Sequence, residues 1–495
     1  MRAAQKSILA LALCSAFQAG AQDVHGQTGA AQAWREDVND TVRKAPVRID
    51  PGEKRPADQF RMDVLGRPLT IGGRYELEPR YFRDRDLDPG KPGDTVNVSQ
   101  DFQLEFYYPW SHSLSAFLQA SAFYNPEVYA EDGDPREESY LELDQAWLFA
   151  SRLFDSDFSF QLGRQRYSEK RQWWWNERLD AIRLYFVRGE ILGELSVAEE
   201  FSSKRTDLGH TEPLHKDVLR VFGDLVWQWA EKQNLTLFFM SQFDGSGVER
   251  DGDLVWHERR DKSDADLTWV GGRAMGKFKL SSGYKFGYWL DGAVVTGHET
   301  LVDFDGVNGR MDRAGSRITR NVLGWGLDAG LTWYTKLPLE PYFTVGYAYG
   351  SGDSNRGIGT DTGFRQTGIH DNKIKLGGSQ RFRYYGELFR PELANLEITT
   401  AAIGFPLSED SAVDLLFHHY RQPHPADSVR DGRIKADPTG ISGDLGEEVD
   451  LVISLDEWKH FQVQLTGAVF RAGDAYGELS GNTSTMIYAK IKYIF

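Results

Sequence analysis

The last nine residues, Ile487–Phe495, read I-Y-A-K-I-K-Y-I-F and decide the fold. Successive side chains of a β-strand point to opposite faces of a sheet. The odd-numbered positions are all apolar or aromatic, whereas the even-numbered positions include Lys490 and Lys492. The pattern predicts a terminal strand with one apolar face and one mostly cationic face. Such a strand either borders the core of a soluble β protein or faces lipid, and the rest of the chain decides between the two.

The N-terminus predicts export from the cytoplasm. Arg2 and Lys6 precede a short apolar core, Ser7–Phe17, and Ala19–Ala21 forms a small-x-small cleavage site. These features are typical of a secretory signal peptide, which is too short to span a bilayer permanently. We therefore assign residues 1–21 to a signal peptide and exclude them from the fold.

The composition limits what the remaining chain can be. Cys14, the only cysteine, leaves with the signal peptide, so we expect neither disulfides nor thiolate chemistry in the mature protein. No later segment approaches 18 consecutive apolar residues, which argues against membrane helices. The net charge of −16 does not indicate a nucleic-acid partner. An exported chain of this kind can still span a membrane as a closed β-barrel, because only alternate residues of each strand need to be apolar.

Recurrent β-type stretches predict such a barrel over residues 69–495. Examples are Leu323–Tyr334, Val449–Leu455 and Phe461–Phe470, and about ten residues suffice for a tilted membrane strand. Their number, and the even strand counts of bacterial barrels, predict an all-β transmembrane antiparallel barrel of about 18 strands. The aromatic content of 13% suits the interfacial girdles of a bacterial outer-membrane barrel. Residues 22–68 are polar and are predicted to form a periplasmic segment before the barrel.

The predicted connections between strands fall into two sizes. Short connections at Asp155–Asp157, Arg188–Gly189 and Ser408–Asp410 are predicted to be periplasmic turns. Long connections are acidic and rich in glycine, and they are predicted to be extracellular loops: Asn125–Ser139, Gly245–Asp266, Asp303–Asn321, Gly350–Gln380, Gln422–Glu447 and Gly473–Ser484.

Three stretches resemble the alginate export family of outer-membrane barrels. The first combines G-R-Q-R (Gly163–Arg166), W-W-W-N-E-R-L-D-A-I-R-L-Y-F (Trp173–Phe186) and R-T-D-L (Arg205–Leu208). The others are G-E-L-F-R-P-E-L-A-N-L (Gly386–Leu396) and G-D-A-Y-G (Gly473–Gly477). A last strand that ends on an aromatic residue also resembles the assembly signal of outer-membrane barrels.

The resemblance extends over roughly Leu69–Phe495 and implies an 18-stranded monomeric barrel. It further implies that the barrel passes a secreted polyuronate, such as alginate, from a periplasmic scaffold to the cell surface. A polyuronate carries one carboxylate per sugar, so a pore that conducts it needs fixed cations where solvent screening is weak. Arginine suits this task because it stays charged and offers a planar fork to carboxylates.

By resemblance, arginines line the constriction of the pore and one acidic residue braces them. These residues are Arg166, Arg381 and Arg390, with Asp207 as the brace and with Arg164 and Arg383 as neighbouring arginines. The alternative for any single arginine is a solvated position in the lumen or in a loop.

The chain departs from the family pattern in three places. Asp144-Gln145 stand where the family has an Arg-Glu pair, and Gln464 and Thr466 stand where it has two arginines. The turn Asp456–His460 is shorter than the expected periplasmic gate. These departures predict a less positive and less gated conduit, so a less charged polysaccharide remains an alternative to alginate.

Strict alternation raises a question about the first arginines. Arg164 and Arg166 share parity with Phe158, Phe160 and Leu162, which would place all five side chains toward lipid. An arginine near the bilayer midplane costs about 2–4 kcal/mol. Either a bulge at Gly163 reverses the faces, or the arginines lie beyond the apolar band.

Other signals indicate neither catalysis nor a cofactor. No metal, phosphate-binding or dinucleotide motif is present, His298 is a lone histidine in a predicted loop, and His418 and His419 point to opposite faces. The acidic loops at Asp251–Asp253 and Asp303–Gly306 could bind Ca²⁺ or bridge lipopolysaccharide, or could simply be solvated. Trp173–Trp175 could stack on sugars, belong to an interfacial belt or contact a plug.

We therefore predict a transporter without catalytic, cofactor or metal sites. The leading hypothesis is an outer-membrane exporter of an anionic polysaccharide. The alternatives are a diffusion porin for acidic oligosaccharides and a membrane-embedded hydrolase; the hydrolase would require a catalytic cluster at the barrel mouth. The expected partners are the polysaccharide, outer-membrane lipid with its lipopolysaccharide, and a periplasmic scaffold.

Overall fold

A computed structural model describes eight stretches of the chain: residues 59–91, 93–131, 136–208, 210–281, 283–308, 310–355, 358–376 and 380–495. The predicted signal peptide lies outside these residues, as does most of the predicted periplasmic segment. The described residues contain 22 strands and four short 3-10 helices. Within them, no helix combines the length and the apolar character needed to cross a membrane.

Eighteen of these strands form one closed sheet, and we number all strands in chain order. The barrel strands are β2 Arg67–Arg83, β3 Thr95–Pro109, β4 Leu114–Ala130, β5 Glu137–Ala150, β6 Phe158–Ser168, β7 Asn176–Arg188, β8 Ile191–Glu199, β9 Val218–Ala230, β10 Gln233–Asp244, β12 Ser263–Lys279, β13 Lys285–Asn308, β14 Met311–Tyr334, β15 Tyr342–Gly350, β18 Leu396–Pro406, β19 Ala412–Arg421, β20 Asp444–Leu455, β21 Phe461–Ala472 and β22 Thr483–Ile494. The remaining strands are β1 Phe60–Val64, β11 Leu254–Trp256, β16 Lys373–Ile374 and β17 Phe382–Arg383. The 3-10 helices are Leu153–Asp155, Pro213–His215, His257–Arg259 and Asp474–Leu479.

The first and last barrel strands close the sheet. Strand β2 pairs with β22 in antiparallel register, with Tyr75 opposite Tyr493. The chain end continues this pairing, since Gly73 and Phe495 exchange two backbone hydrogen bonds of 2.9 and 3.0 Å. Closure leaves no free sheet edge, which is what a strand-built membrane protein requires. The prediction of an 18-stranded antiparallel barrel is confirmed.

The outside of the barrel is apolar, as the terminal strand predicts. On β22, Ile487 and Ile491 are exposed on the outer face. Met486 is fully buried on the inward face, which also carries Lys490. On β14 the outward residues run from Leu323 to Trp333, and both are exposed. Because alternate residues face out all round a closed barrel, these side chains form the apolar band expected to contact lipid.

The two ends of the barrel differ in the length of their connections. The turns Gly189-Glu190 and Asp456–His460 lie at one end, whereas residues 200–217, 351–395 and 422–443 connect strands at the other. Short turns face the periplasm in outer-membrane barrels and long loops face outward. The three predicted short turns all lie at the short end, in agreement with the sequence.

Two predicted loops are largely strand. Residues 303–308 and 311–321 continue β13 and β14 as a long hairpin beyond the barrel, where β11 pairs with β14. His298 therefore lies within β13, opposite Asn321, rather than in a loop. The loop predicted at Asn125–Ser139 is also shorter, since β4 ends at Ala130 and β5 begins at Glu137. Alternation is weak in these stretches, which is why the pattern misses them.

One side of the lumen is filled by packed side chains. Residues 363–376 and 380–395 of the connection between β15 and β18, which we call the lumenal insert, fold back into the barrel and carry β16 and β17. The tip of the β6–β7 hairpin, residues 165–179, packs against the insert: Trp173 stacks on Phe364 at 5.9 Å and donates its indole N–H to the Tyr385 hydroxyl at 2.8 Å. Trp173–Trp175 are at most 3% exposed, so they are plug contacts and have no face free for a sugar.

A buried ionic network ties the hairpin tip to the wall. Arg171 lies 2.5 Å from Asp291 and 2.7 Å from Asp328, and both aspartates are completely buried. Arg273 joins the network through Asp291 at 2.5 Å and through Glu169. Removing one member of such a pair costs several kcal/mol because a charge is left uncompensated. The network therefore fixes the filled side of the lumen in one arrangement.

Candidate functional site

The opposite side of the lumen is polar and charged. It is formed by the inward faces of β2, β3, β5 and β22 together with the hairpin tip. Five cations and five acids line it in pairs: Arg74, Arg80, Arg178, Lys490 and Lys492 with Glu76, Glu78, Asp101, Glu142 and Asp144. Representative separations are 2.9 Å for Lys490–Glu78 and 3.4 Å for Arg74–Asp101. We call these ten side chains the paired wall; they carry equal numbers of positive and negative charges, and each cation contacts at least one carboxylate.

Side chains of the paired wall remain accessible inside the barrel. The side chains of Arg178 and Lys490 are 25% and 24% exposed, whereas those of Arg171 and Asp328 on the filled side are 3% and 0% exposed. Since the sheet is closed, this exposure is to the lumen. The accessible side of the lumen is therefore the candidate conduit.

The hairpin tip enters the lumen because β6 separates from β5. Pairing of β5 with β6 ends at Ala146–Arg164, but pairing of β6 with β7 continues to Ser168–Asn176. Residues 204–206 bond to the vacated edge of β5 through Leu143 and Thr206. Gly163 stays in regular register opposite Ala181, so no bulge reverses the faces. Instead, the whole tip bends inward.

Arg164 and Arg166 consequently have different surroundings. Arg164 makes two hydrogen bonds of 2.8 Å to Asp180 and one of 2.8 Å to the Ser202 carbonyl, and it is 4% exposed behind the tip. Arg166 lies further along the tip, where its backbone N–H donates to Gln145 of the lumenal face at 3.2 Å. Only the second of these arginines is therefore placed toward the conduit.

Asp371 of the lumenal insert gathers three cations. Its carboxylate is 2.6 Å from Lys373, 2.6 Å from Arg383 and 3.7 Å from Arg390. The pocket beside it is also lined by His370, Tyr385 and Asp431. We call Asp371 with these three cations the insert cluster. Three cations therefore share the Asp371 carboxylate, while Asp431 and Glu387 also act on Arg390.

Arg166 joins the insert cluster through one amide. Its guanidinium donates to the Asn176 side-chain oxygen at 3.1 Å, and the Asn176 amide donates to Asp371 at 3.2 Å. The structure thus brings together Arg166, Arg383 and Arg390 of the predicted residues.

Arg390 of the insert cluster is positioned by the turn that precedes it. Glu448 of β20 accepts the backbone N–H groups of Leu388 at 2.8 Å and Phe389 at 2.7 Å. Gly386 has φ of +102°, and a Cβ there would collide with Tyr420 and Glu448. Arg390 itself has φ of 51°, in the left-handed region. This local geometry explains why the G-E-L-F-R stretch positions an arginine at the lumen.

The electrostatics of the insert cluster reflect crowded positive charge. Burial, with repulsion from Arg383, lowers the pKa of Arg390 to about 10. Burial, opposed by Asp371 and aided by Arg383, lowers the pKa of Lys373 to about 8. The Asp371 pKa is held well below its usual range by the three cations, although burial alone would raise it. The site therefore favours additional negative charge at neutral pH.

A fourth cation extends the cluster toward the paired wall. Arg433 contacts the Glu387 carbonyl at 3.5 Å and lies 5.9 Å from the ring of Phe82, on β2. Burial and repulsion from Arg80 lower the pKa of Arg433 to about 9. It thus connects the cations of β2 with those of the insert.

The other two predicted residues lie elsewhere. Asp207 bonds to Arg205 at 2.6 Å in the long loop after β8, near Glu138, and none of its described bonds reaches the insert cluster. Arg381 follows Gln380, whose side chain bonds to Val463 at 2.9 Å near the short-turn end of the barrel. At the insert cluster, the carboxylate that lies beside the arginines is that of Asp371.

Sequence reasoning missed Asp371, Lys373 and Arg433. The first two lie in a stretch predicted to be an extracellular loop, and the third lies in the next long loop. One signal was available: Phe364, Ile369 and the run Tyr384–Phe389 are too apolar for a solvated loop, and all of these but Gly386 and Glu387 are buried apolar side chains. Apolar residues in a long loop indicate that it packs against something.

Metal binding finds no support in the described part of the chain, where no group of three or more histidine, cysteine or acidic side chains is arranged to hold an ion. Of the two acidic loops predicted as Ca²⁺ candidates, Asp303–Gly306 is strand.

A closed barrel with an apolar exterior, a charged and partly accessible lumen, and a folded insert defines the protein as an outer-membrane channel. The model of the family described as "Alginate export" matches residues 67–490. The chain therefore belongs to the alginate export family, as the sequence motifs indicate. Membership in a family of outer-membrane channels also confirms that the protein is not an enzyme.

Two curated relatives match most of the chain. Alginate production protein AlgE of Pseudomonas aeruginosa is 29% identical over 467 residues, covering 86% of this chain and 92% of that protein. Its counterpart in Azotobacter vinelandii is 27% identical over 425 residues, covering 79% and 83%. Among solved structures, a variant of OccD1 (OprD) superposes with a TM-score of 0.50 at 11% identity, covering 86% of this chain and 95% of that one. The structural likeness concerns the barrel fold alone.

Proposed function

We propose that the protein exports an anionic exopolysaccharide, alginate or a similar polyuronate, along the accessible side of its lumen. The observation that carries this proposal is the insert cluster, in which Lys373, Arg383 and Arg390 lie around the carboxylate of Asp371. Together with Arg433, these cations outnumber the neighbouring carboxylates, which are Asp371, Glu387 and Asp431. A surplus of fixed cations in a confined space attracts a polyanion, because solvent screening is weak there. Membership in the alginate export family supports the same substrate class.

The distribution of charge also suits release. On the paired wall each cation already contacts a carboxylate, so that surface neither attracts nor repels a polyanion strongly. Conduction requires binding that is favourable enough for entry and weak enough for exit. One cationic cluster facing a balanced wall meets both conditions, and we propose that the polymer passes between them after delivery by a periplasmic scaffold.

The experiment that tests this is ion selectivity of the purified barrel in planar bilayers, with an oligouronate added as a blocker. We expect anion selectivity, and block that weakens several-fold in Arg390→Gln and Arg166→Gln. Arg188→Gln is the matched control, because Arg188 is 78% exposed at the end of β7, at the short-turn end of the barrel. Cation selectivity, or block unaffected by either lumenal variant, would refute a cationic conduit.

A less charged polysaccharide is the second candidate. Two neutral residues favour it, since Gln464 and Thr466 lie buried on the inward face of β21 and bond to each other at 3.5 Å. A neutral polysaccharide that blocks the channel as strongly as an oligouronate of the same length would favour this candidate. Equal passage of short acidic oligosaccharides in both directions would instead indicate a diffusion porin.

A further inference from the structure

We propose that Asp371 acts as a built-in competitor for the carboxylates of the exported polymer and thereby sets how fast each contact is released. The inference deepens the proposed function and rests on it, since it assigns a specificity-determining role within the insert cluster. In the resting protein, the Asp371 carboxylate occupies the position at which a uronate carboxylate would meet the three cations.

The contacts of Asp371 are those a polymer carboxylate would make. Its Oδ1 atom lies 2.6 Å from Arg383 Nη1 and 3.7 Å from Arg390 Nη2. Its Oδ2 atom lies 2.6 Å from Lys373 Nζ and 3.2 Å from Asn176 Nδ2. Both oxygens of the Asp371 carboxylate are therefore engaged, one by the two arginines and the other by Lys373 and Asn176. A second carboxylate that approaches Lys373 or Arg390 therefore competes with Asp371 for the charge of that cation.

The acid is fixed and two of its cations are less constrained. The backbone N–H groups of Asp371 and Asn372 both donate to the Gln172 carbonyl, at 2.8 and 2.9 Å. The aspartate side chain is short, so its carboxylate stays with this anchored backbone. In contrast, the side chains of Lys373 and Arg390 are long and are 32% and 31% exposed. Those two cations can turn toward the lumen while Asp371 stays in place.

This arrangement makes binding an exchange. When Lys373 or Arg390 turns to a passing carboxylate, Asp371 keeps Arg383, and when the polymer moves on, the cation returns to Asp371. Neither step leaves a charge without a partner, which is the costly state in a confined environment. The time for which the polymer stays bound then depends on the difference in free energy between two similar contacts, and not on the full free energy of one contact.

The alternative role of a carboxylate among arginines is to hold them in place. That role predicts the opposite change. Without a purely positioning acid the cations scatter and hold the polymer less well, whereas without a competitor they hold it longer. A kinetic measurement of block therefore separates the two roles.

The test is single-channel recording of block by an oligouronate of defined length, which yields the association and dissociation rate constants. For Asp371→Asn, which preserves size, we expect the dissociation rate to fall roughly tenfold or more, since a charge-assisted contact of about 1.5–3 kcal/mol no longer competes. Asp371→Ser, which also lacks the carboxylate, provides an independent variant with the same expectation. Asp371→Glu keeps a carboxylate and should remain within about threefold of the original protein.

The control is Asp157→Asn, which removes one negative charge in a turn outside the lumen, where Asp157 is 53% exposed. A dissociation rate that is unchanged or faster in the folded Asn or Ser variant would overturn the inference, and so would equal slowing in the control. Failure of the proposed function gives a different result, because the original protein would then show no block at all.

Discussion

Replacing Arg171 with leucine is expected to loosen the filled side of the lumen. Arg171 contacts Asp291 and Asp328, both completely buried. Asp291 keeps Arg273 at 2.5 Å, whereas Asp328 keeps only neutral donors among its described contacts, namely the Tyr385 hydroxyl at 2.6 Å and the Trp289 indole at 2.8 Å. Removing one partner of a buried pair costs about 3–5 kcal/mol. This shifts the equilibrium between packed and released tip by roughly 100- to 4,000-fold.

The substitution should alter conduction through the lumen while the barrel itself still folds. The eighteen-stranded sheet does not depend on the tip for closure, so Arg171→Leu should fold. We expect its single-channel conductance to be larger and noisier, and residues 165–179 to exchange amide hydrogens faster. Arg188→Leu is the control, because that residue forms only a 3.9 Å pair with Asp157 at the surface. Exposed pairs of this kind contribute about 0–1 kcal/mol.

A second substitution tests the electrostatic origin of the effect. If the loss of stability comes from the uncompensated Asp328 carboxylate, then the double variant Arg171→Leu, Asp328→Asn should show less noise in its single-channel conductance than Arg171→Leu alone. Replacing both members of a buried pair by neutral groups is often close to neutral in free energy. A folded Arg171→Leu variant with unchanged conductance and unchanged exchange would refute the assignment of the ionic network as the anchor of the tip.

Two further outcomes follow from the insert cluster and the bent hairpin. The pKa of Lys373 is lowered to about 8, so its ammonium loses its proton as the pH rises through that value. Anion selectivity, measured from the zero-current potential, should therefore fall between about pH 7 and pH 9. Lys373→Arg should remove this pH dependence, and a pH dependence that persists in that variant would be assigned to another group. Arg164→Gln should leave anion selectivity unchanged, whereas Arg166→Gln should lower it, since Arg164 is paired with Asp180 behind the tip. Equal shifts in selectivity in the two variants would show that Arg164 also faces the conduit.

The sequence predicts those features that repeat along every strand. The alternation in Ile487–Phe495 correctly separates the lipid face from the lumenal face that carries Lys490 and Lys492, because period-two patterning is a local property. The strand count follows from the same pattern. The arginine at position 390 is found through its motif, whose glycine Gly386 and left-handed Arg390 reflect local backbone geometry.

The features that sequence reasoning missed depend on contacts between distant residues. The parity of Arg164 and Arg166 is read correctly, but parity cannot show that β6 parts from β5 beyond Arg164 and that residues 204–206 take its place. Likewise, Asp371 gains its role only when the insert folds back and Asn176 reaches it from the hairpin tip. Neither event leaves a periodic trace in the sequence, although the apolar residues of the insert indicate that it packs.

The balance of charge in the lumen bears directly on how an exporter can avoid holding its cargo. A wall of unpaired arginines would bind each carboxylate strongly, and a polymer with one carboxylate per sugar would make many such contacts at once. In this protein the paired wall contributes no surplus charge, and the insert cluster offers cations that already share one acid. Under the proposed function, the attraction that recruits the polymer is therefore confined to one level of the lumen. Under the proposed function, a chain bound there advances by exchanging one carboxylate for the next, and its release never requires the whole polymer to dissociate at once.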